Sequence, residues 1–253
     1  MTSELAVIIM AAGKGTRMNN PDIAKVMYEI NGKPLVEYVV DLALRLDSSN
    51  VVVIVGWKKE SIISHLDKFK PRVICVAQEP QLGTGHAVMK AGPALEQFDG
   101  DILVLSGDVP LLTYETMNRL VQHHRVSGAV ASVLTAELDN PAGYGRILRD
   151  DAEDVIGIVE EKDATPTQRA IREINSGIYV FDAMTLFESL TQIHPSNIQK
   201  EYYLTDVFER LWEGKKKVSA IKVHDHREIR GINTPAQLEE ARALLAGRRS
   251  LTI

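Results

Sequence analysis

Three things are scarce in this sequence. It has one cysteine, Cys75, so it can close no internal disulfide and offers no Cys-based zinc site. It has no surplus of positive charge: 29 lysines and arginines against 34 aspartates and glutamates leave a formal charge of −5. That balance argues against a sequence-independent grip on DNA or RNA, so any phosphate must be held at a single point. It also lacks a long apolar run. The longest, residues 5–12, covers eight positions, whereas a bilayer-spanning helix needs roughly 20. Met1-Thr2-Ser3-Glu4 is without the basic segment that opens a secretory signal. The expectation is a cytoplasmic protein with neither a membrane nor a nucleic-acid partner. No Ser/Pro-rich linker, low-complexity tract or internal repeat divides the 253 residues, which suits one α/β domain.

What is present is a rhythm. Through the first half, short β-branched runs alternate with helical periods, the pattern of a doubly wound, mostly parallel sheet covered by helices on both faces. Residues 5–12 read as a buried strand and 34–46 as a helix, with Leu35, Val39, Leu42 and Leu46 on one face. Strands follow at 51–55, 73–77 and 101–105, and helices at 59–69, 87–95 and about 115–126. Beyond Gly128 the rhythm loosens. Residues 128–138, 146–149, 155–160 and 178–181 read as strands without long helices between them, so an antiparallel excursion is expected to wall one side of a site. Helices near 184–190 and 203–212, a strand at 218–223 and a helix from Pro235 to about Ala246 complete the chain. Thr234-Pro235 is a hydroxyl cap followed by proline at the first helical position.

The strongest local signal is the run Met10-Ala11-Ala12-Gly13-Lys14-Gly15-Thr16-Arg17-Met18, directly after the first strand. Glycines there let backbone N–H groups turn toward an anion, and open α/β sheets bind ligands at the carboxyl ends of their strands. The spacing fits neither a P-loop nor a dinucleotide fingerprint, which needs a third Gly or Ala where Met18 stands. A tight strand-to-helix turn is the bland alternative. Arg17 and Lys25 are cations suited to a reacting triphosphate, although an isolated lysine is more often a solvated one. Gln78, Gln81, Gly83 and Thr84 lie in a second strand-end loop, able to read a base edge or simply to turn the chain. Asp108, after Gly107 at the end of the fourth strand, can be a magnesium ligand or a turn residue. Asn233 before Pro235 can be a metal ligand or a helix cap. Glu160 to Lys162 can be a solvated charge cluster. His224 and His226 share a strand face but have no third ligand nearby, His123-His124 reads as a solvated pair near a helix C-terminus, and Cys75 reads as a buried, inert thiol.

Taken together, the motifs resemble a known family. Ala11-Ala12-Gly13-x-Gly15-Thr16-Arg17-Met18 with Lys25, Gln81-Leu82-Gly83-Thr84-Gly85-His86-Ala87, Gly107-Asp108-Val109-Pro110-Leu111 and Gly143-Tyr144-Gly145-Arg146-Ile147 occur in one order. Ile158-Val159-Glu160-x-Lys162-Asp163-Ala164, Glu173-Ile174-Asn175-x-Gly177-Ile178, Glu201-Tyr202-Tyr203-Leu204-Thr205-Asp206 and Gly231-Ile232-Asn233 continue it. The series closely resembles the uridyltransferase domain of the bifunctional N-acetylglucosamine-1-phosphate uridyltransferase/glucosamine-1-phosphate acetyltransferases. The resemblance implies a nucleotide-diphospho-sugar transferase fold, with an antiparallel sugar-binding insertion. It implies the reaction of UTP with a sugar 1-phosphate, N-acetylglucosamine 1-phosphate first of all, to give UDP-sugar and pyrophosphate for cell-envelope precursor synthesis. Position by position, Ala11, Ala12 and the Gly13, Gly15 and Thr16 loop would cradle the UTP phosphates, and Arg17 and Lys25 would be catalytic. Gln78, Gln81, Gly83 and Thr84 would contact uracil; Asp108 and Asn233 would hold Mg²⁺; Ser106, Gly145, Glu160 and Asn175 would bind the sugar. Residues to about 127 would form the nucleotide half, 128–233 the sugar half and 234–253 a terminal helix.

The sequence departs from the family pattern at Ser106, usually Tyr, at Ser176, usually Thr, and at Ala24, usually Pro, with Pro21 nearby. The first two lie at the sugar end. They leave glucose 1-phosphate, N-acetylgalactosamine 1-phosphate or another nucleotide as alternatives, with a non-catalytic nucleotide-sugar-binding subunit as the rival from another class. The family continues into a left-handed β-helix of hexapeptide repeats, of which this sequence has none. The expectation is a stand-alone domain without acetyltransferase activity, whose oligomers, if any, do not form through such a helix.

Overall fold

The computed structural model describes residues 3–18, 20 and 22–250; Pro21 falls outside them. Its centre is β1 (Glu4–Ala11), whose apolar run is buried because the strand lies between two others. The chain continues through two short strands, β2 (Glu29–Ile30) and β3 (Lys33–Pro34), then α1 (Leu35–Arg45), β4 (Asn50–Val55), α2 (Lys59–Leu66), β5 (Val73–Ala77), α3 (Thr84–Met89), β6 (Gly100–Ser106) and α4 (Tyr114–Ser127). Then come β7 (Ala131–Glu137), β8 (Arg146–Arg149), β9 (Val155–Val159), α5 (Pro166–Arg169), β10 (Glu173–Asp182), α6 (Ala183–Leu190), α7 (Asp206–Glu213), β11 (Val218–Lys222) and α8 (Pro235–Ser250).

The main sheet runs β11-β7-β10-β6-β1-β4-β5. Strands β6, β1, β4 and β5 are parallel, β10 is antiparallel to both β6 and β7, and β11 is parallel to β7. The β8–β9 hairpin attaches to β10 through Arg146 and Ile174. The fold is therefore a mostly parallel α/β sheet with one reversed strand. That strand carries the hairpin toward the carboxyl ends of β1 and β6.

Alternation along the strands produces two cores. Val7, Ile9, Val53 and Leu103 face α1, α2 and α4, while Ala6, Ile8, Ile54 and Val104 face α3, α6 and α7. A third, smaller cluster joins Met18, Ile30, Leu35, Leu111, Ile232 and Leu238. It packs the end of the glycine loop, the segment after Asp108 and the segment before α8 against one another.

Differences from expectation have local causes. The helix foreseen from 203 starts at Asp206, because residues 202–204 bond to the loop at 82–85 instead. The helix foreseen at 87–95 is α3, which ends at Met89 ahead of Gly92-Pro93. His124 is buried, not solvated: following Leu120 and Val121 at helical spacing, it faces inward, where it meets Ser132 Oγ at 2.8 Å. Burial pushes its pKa down. Cys75 is only half-buried because β5 is the edge strand.

Phe181 is fully buried against Tyr179 and Phe208, with ring centroids 5.7 and 5.4 Å away. Phe181→Ala should lower the free energy of unfolding by about 3–5 kcal/mol. Urea denaturation checks this, and a loss below about 1 kcal/mol would contradict the packing described.

Candidate functional site

The site is built from loops at the carboxyl ends of β1, β4, β5 and β6. The loop after β1 turns at Gly15, whose φ of +63° only glycine adopts readily. A Cβ at Gly15 would stand 2.4 Å from the Cβ of Lys25, so the missing side chain is what lets the lysine stem cross the loop. Lys25 then reaches inward. Its Nζ donates to the Asp108 carboxylate and to Asn233 Oδ1, the latter at 3.0 Å. Arg17, in the short helical turn 16–18, donates from Nη2 to the same Asn233 oxygen at 3.0 Å.

Four groups that are far apart in sequence therefore meet. Asp108 is fixed by its place after β6 and by Ile232 N–H, which donates to the Asp108 carbonyl at 2.9 Å. Gly231 permits this approach, since a Cβ there would lie 3.2 Å from Asp108 Oδ2. The two readings of Asn233 also separate. Thr234 takes the cap, its Oγ1 accepting from Gln237 N–H at 3.3 Å, while the Asn233 side chain turns to the two cations.

A cleft of about 990 Å³ opens beside this cluster, lined by Ala11, Ala12 and Gly13 on one side and Gln78, Gln81, Gly83 and Thr84 on the other. Gln81 bridges the two loops by donating from Nε2 to the Ala12 carbonyl at 2.7 Å. Gln78, buried, donates to the Gly83 carbonyl at 2.9 Å and so braces its own loop. Gly83 has φ +107°, and a Cβ there would stand 2.5 Å from the Tyr202 carbonyl. Gly15, Thr16 and Arg17 support the rim and do not line the cleft.

Met10, Thr84 and Ser106 line both this cleft and a second recess of about 200 Å³, so the two meet. Gly145, Glu160 and Asn175 wall the recess. Asn175 donates from Nδ2 to Tyr179 OH at 2.7 Å, while its backbone N–H reaches the Gly145 carbonyl at 2.9 Å. Glu160 accepts from Thr205 Oγ1 at 3.0 Å. Burial, with Asp163 nearby, pushes the Glu160 carboxyl above the usual glutamate range. Asp206 is pushed up to about 6 by burial and by Glu209, Glu160 and Asp163. Glu160 is the one acidic side chain lining the recess among the described residues, and Asp163 and Asp206 line a neighbouring hollow that Glu160 also borders.

Sequence reasoning missed Trp57, which follows β4 and lines the cleft with Lys14 Nζ 5.4 Å from its ring centroid. Its place at a strand's carboxyl end was the available signal. Thr205, within the Glu201–Asp206 block of the family pattern, and Tyr179 were given no role in the sequence; in the structure they bond to Glu160 and Asn175. Among the described residues no three His, Cys, Asp or Glu side chains converge as a metal cluster, and His224 contacts Arg119. No helix of the described residues is long and apolar enough to cross a membrane.

An α/β sheet whose strand ends carry a glycine loop, two cations and adjoining recesses defines a nucleotide-handling transfer fold. The sequence profile of the nucleotidyl transferase family matches residues 6–226, and the chain belongs to that family. It is 43% identical over 245 residues to the bifunctional protein GlmU of Pelotomaculum thermopropionicum, a match covering 97% of this chain and 53% of that one. It is 46% identical over 245 residues to the GlmU protein of Syntrophotalea carbinolica, covering 97% and 52%. The chain thus spans about half the length of these curated relatives. Among solved structures, a UDP-glucose pyrophosphorylase complexed with UDP-glucose superposes with a TM-score of 0.76 at 18% identity, covering 98% of this chain and all of that one. A putative glucose-1-phosphate thymidylyltransferase from Bacillus anthracis gives 0.73 at 19%, covering 95% and 94%. At these identities the superpositions speak to fold alone.

The raised Glu160 pKa has a consequence for stability. The folded chain holds this proton more tightly than the unfolded chain does, so its contribution is present at low pH and is lost as pH rises from the ordinary glutamate range through the raised value. Glu160→Gln removes that loss. Its melting temperature should exceed the wild type's at neutral pH, with the gap closing as the pH falls below the ordinary range. Thermal melts across pH check this, and a variant less stable than wild type at neutral pH would contradict it.

Proposed function

We propose that the chain transfers UMP from UTP to N-acetylglucosamine 1-phosphate, releasing pyrophosphate and UDP-N-acetylglucosamine, in the cytoplasm and with Mg²⁺. The observation that carries this reading is the meeting of Arg17, Lys25, Asp108 and Asn233, of which Lys25 and Asp108 line the larger cleft that adjoins the smaller recess. The large cleft suits the nucleotide, with Gly13 at the phosphates, on the loop that turns at Gly15 and continues to Thr16, and Gln78, Gln81, Gly83 and Thr84 at the base. The smaller recess suits the sugar, with Ser106, Gly145, Glu160 and Asn175 on its walls. The similarity to proteins named GlmU and the match to the nucleotidyl transferase family support a nucleotidyl-transfer reading.

In this reading the sugar phosphate is already an anionic nucleophile. One of its oxygens forms a bond to the α-phosphorus of UTP as the bond to the bridging oxygen breaks, and pyrophosphate leaves with that electron pair. No general base is required. Catalysis is alignment of the two substrates by the loops and neutralisation by Arg17 and Lys25 of charge developing on the phosphates. Asp108 and Asn233 fit a divalent cation of the magnesium type, because both direct oxygens at the same point, where the Lys25 ammonium now sits. Held by Asp108 and Asn233, such a cation would supply positive charge that offsets the charge of the phosphates. A dead, ligand-holding subunit is disfavoured because both cations and both oxygen donors are present and joined.

One residue favours a second reading. Ser106 is small and lies where the recesses join, which leaves room for another sugar 1-phosphate. A pyrophosphate-release assay over four nucleotides and several sugar 1-phosphates decides. UTP with N-acetylglucosamine 1-phosphate should give the highest kcat/KM, and equal rates with glucose 1-phosphate would overturn the sugar assignment. In the same assay Lys25→Ala should lower kcat by about a hundredfold or more while changing the KM for UTP much less. Unchanged pyrophosphate release would remove Lys25 from the mechanism.

A further inference from the structure

Glu160 is held from one side only. Among the described residues the sole side-chain hydrogen bond to its carboxylate comes from Thr205 Oγ1, at 3.0 Å. Thr205 is itself 3% exposed and immediately precedes α7, whose Val207, Phe208 and Leu211 are buried in the core under the sheet. The residues just before it are stitched to the opposite recess. Tyr202 N–H donates to the Leu82 carbonyl at 2.8 Å, Gly85 N–H donates to the Tyr202 carbonyl at 2.7 Å, and Leu204 N–H donates to Thr84 Oγ1 at 3.0 Å. One short segment, 202–205, therefore touches the loop on the nucleotide side and the carboxylate on the sugar side.

We propose that Thr205 is a positioning residue that fixes the Glu160 carboxylate in the sugar recess, and that the segment carrying it ties that carboxylate to the loop at 82–85. The proposal rests on Glu160 being a sugar ligand. A carboxylate with one hydrogen bond in a buried recess has several rotamers open to it, and a hydroxyl anchored to a helix start selects one. No other side chain takes this role among the described residues: Asp163 opposes the ionisation of Glu160, Asp206 of α7 lies in its field, and the Tyr203 and Tyr179 hydroxyls, from the preceding loop and β10, make no hydrogen bond to it. Removing the hydroxyl leaves a buried carboxylate without its donor, which raises its pKa further as well as loosening it.

The test is steady-state kinetics of Thr205→Val, Thr205→Ser and Glu160→Gln in the full chain, with both substrates and across pH. Thr205→Val keeps the shape and loses the donor. It should raise the KM for the sugar 1-phosphate by about tenfold to a hundredfold while leaving kcat and the KM for UTP within about threefold, as a lost binding contact does. The acidic limb of kcat/KM for the sugar 1-phosphate should move to higher pH, and titration of the substrate's own phosphate is common to all the enzymes compared. Thr205→Ser should restore both values. An unmoved acidic limb, or equal damage to both KM values and kcat, would overturn the proposal. If circular dichroism shows that Thr205→Val does not fold, Thr205→Ala carries the same expectation. Glu160→Gln separates the two layers: an unchanged KM for the sugar phosphate would remove Glu160 from the sugar site. A raised KM in Glu160→Gln with none in Thr205→Val would leave the site standing and refute the positioning role.

Discussion

The contact of the Lys25 ammonium with Asp108 and Asn233 is the constraint on which the rest of the structure depends. It requires a loop that turns left-handed at Gly15 and lets the lysine stem cross it, a carboxylate at the end of β6, and an amide directed inward just ahead of α8. None of these elements is adjacent in sequence. The third core cluster holds them together, with Met18, Leu111 and Ile232 packed as neighbours of the three functional segments. Hydrophobic packing thereby sets the distance between charges, and precision at the mouth comes from apolar contacts just behind it.

The reversed strand β10 has a related role. By running antiparallel between β6 and β7, it brings Asn175 and the β8–β9 hairpin to the same end of the sheet as the β1 loop. Gly145 and Glu160 then face Asn175 across a small recess, and Ser106 marks the join with the larger cleft. A purely parallel sheet would have needed a long crossover to place a wall there. The insertion that loosens the sequence rhythm is what creates a second compartment.

Strands β1, β4, β5 and β6 were legible because each is centred on a continuous apolar run, and they lie within a residue or two of their expected positions, whereas β10, read only at 178–181, starts at Glu173 because polar residues at 173, 175 and 176 hide its first half. The glycine loop, Lys25 and Asp108 were legible as residue types at strand ends. Asn233 was ambiguous because helix capping and cation binding use the same amide chemistry; in the structure Thr234 holds the cap and the Asn233 oxygen accepts from Arg17 and Lys25. His124 was misread because a helix C-terminus suggests solvent, whereas its spacing from Leu120 directs it inward. Thr205 was silent because its partner lies 45 residues away, and no local pattern records a hydroxyl that serves a distant carboxylate. Local chemistry could be read from the chain, whereas the pairing of distant side chains required the fold.

In the proposed reading the Lys25 ammonium occupies a cation position formed by Asp108 and Asn233. The most direct measurement is electron paramagnetic resonance titration of Mn²⁺ into the nucleotide-free wild type, Lys25→Ala and Asp108→Ala proteins. Lys25→Ala should bind Mn²⁺ more tightly than the wild type, because a competing cation is gone, and Asp108→Ala should lose the site. Affinity unchanged by Lys25→Ala, or binding retained in Asp108→Ala, would contradict that reading.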